Sequence, residues 1–399
     1  MNQSARAVEV ATPSIFPVVL AGICAFLTLY APQPILPLLA DLFHASRVRI
    51  SLLVTVSTLG VALAAPLIGR LADRVGRKRV IVLSTLLLGL TTLLAATSTS
   101  LGLLLFWRFL QGVATPGVFS VTTAYIHDEW PPHRAAVAIS AYISGTVAGG
   151  FSGRVITGFA TEHWGWQWAF VLLAAINLCV AAYLAVRLPV ESGFTHPSRR
   201  PVADSMGFST LEHLRNSRLL GAYGVGFCVL FSQVAMFTYV TFHLAAPPFS
   251  LGPGPLGFIF VVYLAGVVVT PLAGRRANRE GHRRMLLYAA MLTAAGALMT
   301  LAPQLAVVIA GLGIYCTGVF ISQSSATSFV GMAATRNRAL ALGLYATFYY
   351  IGGTFGGSAP GWLWQAFGWT GCVALVVSVQ AVIAGVGWSA WAAADGRQS

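Results

Sequence analysis

Two arginines stand inside long apolar stretches of this sequence, Arg108 and Arg154. An ionised side chain within an apolar helix of membrane-spanning length is costly, so it normally faces a partner or a water-filled cavity. We therefore predict that Arg108 contacts a solute, the alternatives being a structural ion pair or a side chain that extends to the membrane surface. Arg154 is expected nearer the outer end of its helix. Its side chain could there extend to the membrane surface, pair with Glu162 or Asp41, or contact a solute.

Carboxylates are not found in the middle of these stretches. All 11 acidic residues fall in predicted loops, termini or span ends. A group that carries protons across a membrane must change its protonation as access switches from one side to the other. The candidates for such a group are Asp41, Asp128, Glu129, His127 and His243. Alternatively, proton coupling arises from substrate competition at Arg108, or transport is not coupled to protons.

Other chemistries lack their sequence signals. The chain has no phosphate-binding glycine loop with lysine, no cluster with metal-ligand spacing and no serine nucleophile elbow, and Lys78 is its one lysine. We therefore predict no enzyme activity, no metal, no cofactor and an energy source other than ATP. Each of the five cysteines falls inside a predicted span, where a thiol behaves as a small apolar group.

Composition indicates which elements hold these residues. The chain is 57% hydrophobic and 9% charged, with a mean hydropathy of +0.77, against about 25% charged residues in a soluble domain. Apolar stretches of roughly 20 residues, enough to cross a bilayer, recur along it. The predicted spans are Ile15–Leu39, Ile50–Gly69, Val80–Thr97, Leu101–Ile126, Ala135–Ala160, Trp166–Leu188, Leu219–Leu244, Pro255–Gly274, Met285–Ala302, Gln304–Phe329, Ala339–Trp364 and Gly371–Trp391. Turns at Pro303-Gln304 and Phe367-Gly368-Trp369 divide the two longest uncharged runs.

The distribution of positive charge predicts the orientation of the chain. The formal net charge is +13, which in a soluble protein would suggest a nucleic-acid partner. All but four of the 24 lysines and arginines lie in the termini and the even-numbered connections, however, the others being Arg47, Arg49, Arg108 and Arg154. This asymmetry predicts a bacterial inner-membrane protein with both termini cytoplasmic, and it argues against nucleic-acid binding. We also expect the protein to be a monomer.

A polar connection divides the chain into two parts. Residues 189–218 are rich in proline and arginine, and Ser209 and Glu212 form a capping-box pattern before a short amphipathic segment. We predict a helical bundle over residues 1–188, a cytoplasmic linker with a short surface helix over 189–218, and a second bundle over 219–399.

The two parts are related by internal repeats. The segment Gly69 to Arg79 aligns without a gap with Gly274 to Arg284, and Tyr142 to Gly153 aligns with Tyr350 to Gly361 at nearly the same offset. Repeats of this kind predict an all-α membrane fold of twelve helices in two pseudo-symmetric bundles of six, with a solute pathway between them.

At these residues the chain resembles the major facilitator superfamily. Gly69 to Arg79 is similar to that superfamily's loop signature, and Leu104-x-x-x-Arg108-x-x-Gln111-Gly112 is similar to the fourth-helix signature of its proton-coupled members. The glycine run from Gly145 to Gly153 resembles the fifth-helix signature of the twelve-helix drug:proton antiporter family, although it lacks the usual proline. The segments from Tyr30 to Pro37 and from Tyr142 to Arg154 look most like the YnfM-type efflux permeases. The resemblance implies a transporter in which Arg108 and Gln111 serve transport or coupling. Arg154 and Asp41 are candidates for the same role because of their positions in the sequence.

Charged residues cluster at two predicted cytoplasmic turns. Asp73 stands among arginines at a helix end, where its carboxylate can bond an arginine or the N-terminus of a neighbouring helix and latch one conformation. The alternative is that these charges only set topology. The predicted latch comprises Gly69, Asp73, Arg74, Gly76 and Arg77, with Asp128, Glu129 and Arg134 as its second part.

Glycines recur every fourth residue in two predicted spans, so each set forms one stripe along its helix. The stripes are Gly145, Gly149 and Gly153, and Gly353, Gly357 and Gly361. The stripes could allow the two bundles to slide against each other, or they could serve only static helix packing.

Polar and aromatic residues within the spans are candidates for the lining of a cavity that binds varied amphipathic solutes. They are Tyr30, Gln33, Gln111, Gln233, Met236, Tyr239, Tyr315, Gln323, Tyr345 and Tyr349. Three functions follow in order of preference. The first is proton-coupled export of small amphipathic or drug-like molecules, the second is uptake or exchange of an anionic or sugar-like metabolite, and the third is a membrane sensor that moves no solute.

Overall fold

The computed structural model describes residues 14–191, 212–334 and 338–391, and the regular structure of these residues is entirely helical. The helices are α1 Phe16–Leu27, α2 Leu36–Leu42, α3 Arg47–Val75, α4 Arg77–Ala96, α5 Leu101–Glu129, α6 Pro132–Trp164, α7 Trp166–Arg187, α8 Ser217–Ala245, α9 Pro253–Ile259, α10 Ala265–Glu280, α11 His282–Met299, α12 Leu305–Ala333, α13 Arg338–Ser358 and α14 Pro360–Ala390.

Two of the predicted spans are interrupted. The first consists of α1 and α2 joined by turns and a short 3₁₀ segment at Gln33–Ile35, and the eighth consists of α9 and α10 joined by a 3₁₀ segment at Phe260–Leu264. The first interruption has a clear cause, because Pro32 and Pro34 cannot donate backbone hydrogen bonds to the preceding turn. Both interruptions pack against α6.

Nine helical segments of the described chain are long and apolar enough to cross a membrane, when α9 and α10 are counted together as one interrupted segment. The other three of the twelve predicted crossings are explained by local features. The break in the first span leaves α1 only 12 residues long, α11 begins with His282 and two arginines, and α13 is rich in glycine and tyrosine. Helix α14 holds the end of the eleventh crossing and all of the twelfth, divided at Gly368, whose φ of 62° favours glycine. The predicted turns at Phe367-Gly368-Trp369 and Pro303-Gln304 are thus confirmed.

The helices form two halves, α1–α7 and α8–α14, that meet along two seams. Helix α3 packs against α13 at one seam, and α6 packs against α9 and the 3₁₀ segment after it at the other. We call the end of the molecule with the turns at Gly76 and Gly281 the basic end, after the arginines around these turns. The end with the turns at Gly165 and Gly368 is the far end.

The two glycine stripes have different partners. Gly145, Gly149 and Gly153 lie against the backbone of α1, so that an added methyl group at Gly145 would come 2.6 Å from the carbonyl oxygen of Val19. That stripe therefore packs within the first half and does not join the halves. The second stripe does join them, because Gly357 lies against Thr55 of α3 and Gly361 lies against Val48.

Much of the linker lies outside the described residues, including Ser209 of the predicted capping box. Residues 212–215 are helical, and Asn216 then caps the next helix, since its side-chain oxygen accepts hydrogen bonds from the backbone nitrogens of Arg218 and Leu219 at 3.0 and 3.4 Å.

Candidate functional site

Arg108 lies on α5 and is fully buried. Its Nε donates to the carbonyl oxygen of Leu53 at 3.2 Å and its Nη1 to that of Thr28 at 2.8 Å. Further hydrogen bonds run from Nη1 to Oε1 of Gln111 and from Nη2 to the carbonyl oxygen of Leu29. Thr28 and Leu29 follow the end of α1, where backbone carbonyls lack the donors that a continuing helix would provide. Every guanidinium nitrogen of Arg108 is thus engaged in bracing the interruption of the first span.

Gln111 completes this arrangement. Its amide nitrogen donates to the hydroxyl of Thr92 on α4 at 3.1 Å, and its side chain is fully buried. The two residues of the fourth-helix signature therefore join α5 to α3, α4 and the end of α1.

Arg154 has a different environment. It is 2% exposed, and its guanidinium extends back along α6, where Nη1 donates to the carbonyl oxygen of Gly150 at 2.6 Å. Gly150 lies close to the middle of this 33-residue helix, so the charge is deeper in the molecule than the expected position at the helix end. The Nε of Arg154 donates to Oε1 of Gln33 at 2.8 Å.

Three aromatic rings surround this guanidinium, and we call them the arginine cage. The Cζ of Arg154 is 5.1 Å from the ring centre of Tyr30, 4.5 Å from that of Phe260 and 4.7 Å from that of Tyr263. Cations are attracted to the faces of aromatic rings at such distances. Tyr30 belongs to the first half and the other two rings to the second, so the cage straddles the seam between them.

A hydrogen bond from the amide nitrogen of Gln33 to the hydroxyl of Thr238 at 3.2 Å joins the halves beside the cage. Arg154 therefore stands where both interrupted spans, α6 and α8 come together. Sequence reasoning proposed Arg154, Tyr30 and Gln33 for function but missed Phe260, Tyr263 and Thr238.

The pairing of Arg154 with Glu162 or Asp41 is wrong for this structure. The ion pairs among the described residues join Arg77 to Asp73, Arg77 to Asp128 and Arg276 to Glu280. Glu162 instead lies beside Gly252 and Gly254 at the start of α9.

Asp41 lines a cleft of about 660 Å³ at the far end between the halves. Arg47 and Trp364 also line this cleft, where the Cζ of Arg47 stands 5.0 Å from the centre of the Trp364 ring. This contact also joins the two halves, and it gives one of the few arginines predicted outside the cytoplasm a specific partner.

Most of the expected cavity residues are buried in this conformation. Met236, Tyr239 and Tyr315 expose almost nothing, Gln233 and Tyr345 are also buried, and only Gln323 and Tyr349 keep partial exposure. Tyr239 helps to seal the far end, because its hydroxyl is 3.1 Å from that of Ser51 on α3. Rather than lining an open space, several members of the set therefore close the seam between the halves.

The residues of the expected latch gather within the first half. Arg77 forms ion pairs with Asp128 and, at 3.7 Å, with Asp73, and it donates to the carbonyl oxygen of Ala124 at 2.8 Å. Glu191, which sequence reasoning missed, accepts a hydrogen bond from the backbone nitrogen of Lys78 at 2.7 Å and so caps α4. The turn after α3, the end of α5 and the chain after α7 are thus tied together at the basic end.

Comparison with known proteins is decisive for the family. The Major Facilitator Superfamily profile matches residues 18–263. The chain belongs to this superfamily. It is 33% identical to the uncharacterized MFS-type transporter YybF of Bacillus subtilis over 89% of this chain and 88% of that protein. It is 31% identical to the inner membrane transport protein YnfM of Escherichia coli over 96% of this chain and 92% of that protein.

Solved structures agree on the fold. A bacterial homologue of the human lysosomal transporter Spinster, in an inward-facing and unoccupied conformation, superposes with a TM-score of 0.80 at 17% identity, covering 94% of this chain and 96% of that one. The nucleoside transporter NupG superposes with a TM-score of 0.78 at 12% identity, covering 94% and 99%. The protein is therefore a multi-pass membrane transporter with the major facilitator fold.

Proposed function

We propose that this protein is a secondary transporter that works by alternating access and exports small amphipathic molecules, driven by a proton gradient. The observation that carries the proposal is the closure of the seam from mid-membrane to the far end. Hydrogen bonds and cation–aromatic contacts join the halves there through Gln33, Arg47, Ser51 and Arg154 of the first half. These positions lie from mid-membrane to the far end.

The orientation of the molecule in the membrane decides which side is closed. If the basic end is cytoplasmic, as the positive-inside rule predicts, the far end is the outer side and the molecule is closed toward the outside. The inward-facing Spinster homologue has a similar overall structure. The division into bundles at 1–188 and 219–399, with a cytoplasmic linker at 189–218 and cytoplasmic termini, is part of the same proposal.

Export is favoured by the resemblance of the chain to drug:proton antiporters and YnfM-type permeases. For coupling, the proposal assigns the proton to Asp41, because this exposed carboxylate lines the far-end cleft between the halves and lies on α2, the last part of the interrupted first span. Asp41→Asn is expected to retain solute binding and lose the dependence of flux on a pH gradient.

Proteoliposome flux tests this proposal. Vesicles loaded with a fluorescent amphipathic probe should release it, or take it up, faster with protein than without, and an imposed pH gradient should change the rate. The exposed Arg49→Gln serves as the matched control and should behave like the parent protein. Protein that inserts and folds but shows no flux of any probe would favour the sensor hypothesis.

The second candidate, uptake or exchange of an anionic metabolite, is favoured by one observation, the buried positive charge of Arg154 without a carboxylate partner among the described residues. The direction of the pH effect on flux separates export from uptake.

A further inference from the structure

We propose that the transported solute carries a carboxylate that binds Arg154, and that this binding draws the arginine out of its cage and loosens the far-end seam. The inference rests on the proposed transport function and names the solute class and the trigger of the conformational change. It concerns the same site, at the junction of the two interrupted spans.

The two buried arginines differ in how fully their donors are used. Arg108 bonds through Nε, Nη1 and Nη2, and all of its acceptors belong to the first half. Arg154 bonds through Nε and Nη1 alone, and its Nη2 makes no hydrogen bond within the described chain. A guanidinium presents five N–H donors in a planar fork that matches a carboxylate. Arg154 uses two of these five donors and leaves both N–H groups of Nη2 for a solute, whereas Arg108 uses four and keeps one.

The electrostatic environment of Arg154 favours an anion. Its hydrogen-bond acceptors, the oxygens of Gln33 and Gly150, are neutral, and the cage offers only the negative faces of aromatic rings. A buried charge is stabilised most by an opposite charge with good geometry. A carboxylate would supply both hydrogen bonds and charge, which the neutral acceptors do not.

Gly150 provides space on the side of the guanidinium that faces the basic end. A methyl group added at Gly150 would meet Nη1 of Arg154 at 3.4 Å and Cβ of Phe26 at 3.8 Å, which are ordinary contact distances. Since α6 runs from the basic end to the far end, Gly150 precedes Arg154 on the side from which a solute would arrive when the far end is closed. The rest of an amphipathic solute would then meet Phe26 and Tyr349, which are both partly exposed.

Binding at this site would act directly on the seam. Phe260 and Tyr263 belong to the second half, so the cation–aromatic contacts of Arg154 hold the halves together. Gln33 accepts a hydrogen bond from Nε of Arg154, and its amide nitrogen donates to the hydroxyl of Thr238 across the seam. A carboxylate that pairs with the guanidinium weakens its attraction to the rings and competes with Gln33. The ligand thus favours the state in which the seam is open, as a ligand must if it is to shift the equilibrium.

Three probes with the same apolar part test the solute class. The full-length protein in nanodiscs would be melted with 4-phenylbutyrate, 4-phenylbutyramide or 4-phenylbutylammonium, because a ligand of the folded state raises apparent stability. We expect the carboxylate alone to raise the melting temperature. Arg154→Gln should weaken its apparent affinity by about tenfold or more, Arg154→Lys should weaken it less, and Arg49→Gln should leave it unchanged. Equal stabilisation by the three probes, stabilisation by none, or full retention in Arg154→Gln would overturn the proposal.

Spin labels test the trigger. Thr99 and Gln304 are exposed at the far end on different halves, and cysteines placed there in a Cys179→Ser background would report the width of the seam. The carboxylate should lengthen this distance in the parent, and Arg154→Gln should lengthen it without ligand. If the neutral amide opens the seam and the carboxylate does not, alternating access stands and the anionic solute is rejected. If the distance has one value under every condition, including changes in pH, the transport proposal itself fails.

Discussion

Arg108 gives the sharpest test of the site, because its hydrogen bonds brace the interrupted first span, whereas its position in the sequence predicts contact with a solute. In Arg108→Gln the carbonyl oxygens of Thr28, Leu29 and Leu53 lose a charged donor. A buried acceptor left without a donor costs about 1–3 kcal/mol. The carbonyl oxygen of Thr28 keeps a turn bond from the nitrogen of Ala31 at 3.3 Å, and that of Leu53 keeps the hydroxyl of Ser57 at 3.0 Å. The main loss therefore falls on Leu29, and we expect a loss of about 2–3 kcal/mol of stability.

That loss is large against the roughly 5–15 kcal/mol stability of a typical domain. It should lower the apparent melting temperature of the protein in nanodiscs by about 3 °C, measured by tryptophan fluorescence at a fixed heating rate because such unfolding is often irreversible. Arg154→Gln is the matched control, and it should melt closer to the parent because fewer donors are lost. If Arg108→Gln melts within about 1 °C of the parent while solute binding disappears, Arg108 contacts solute and the brace assignment is wrong.

Three further predictions concern the glycines and the basic end. Gly153→Val places side-chain atoms on the backbone of Leu27 and should reduce folded yield, whereas Gly313→Val, with nothing within 4 Å of an added methyl group, should not. Gly357→Val forces α13 away from Thr55, so the Thr99–Gln304 distance should lengthen without ligand; an unchanged distance would show that this seam does not control the far end. If Asp73 pairs across the halves when the basic end closes, Asp73→Asn should shift the balance of states toward the basic-end-open form by roughly tenfold. Distances between spin labels at Val75 and Arg279 measure this shift. An unchanged distance distribution would reject the latch.

Local sequence signals predicted much of the fold. The break at Gly368 follows from a glycine between two aromatic residues, at a position whose positive φ favours glycine. The position of Arg108 and Arg154 within apolar stretches was enough to single them out, because few ionisable groups are tolerated there. The prolines from Pro32 to Pro37 carried the signal for the interrupted first span, although that span was predicted as continuous.

Properties that depend on helix rotation and long-range contacts could not be predicted. Adjacent helical residues point about 100° apart, so Gly352 packs on Phe227 of α8 while Gly353, one residue on, approaches Leu230 and Thr58. The repeat alignment matches Gly145 to Gly353, yet only the second of these approaches the other half. Phe260 and Tyr263 have no sequence feature that separates a cage from ordinary packing, and Glu191 meets Lys78 only through the packing of α4 against α7.

The central claim, that the halves exchange access between the two ends, is tested most directly by measuring both ends in one sample series. Spin-label distances would be recorded across the far end, between Thr99 and Gln304, and across the basic end, between Val75 and Arg279, while pH and probe are varied. Alternating access predicts two populations at each end that change in opposite directions, so that a shorter distance at one end accompanies a longer distance at the other. Distances that change together at both ends, or that never change at either, would contradict it.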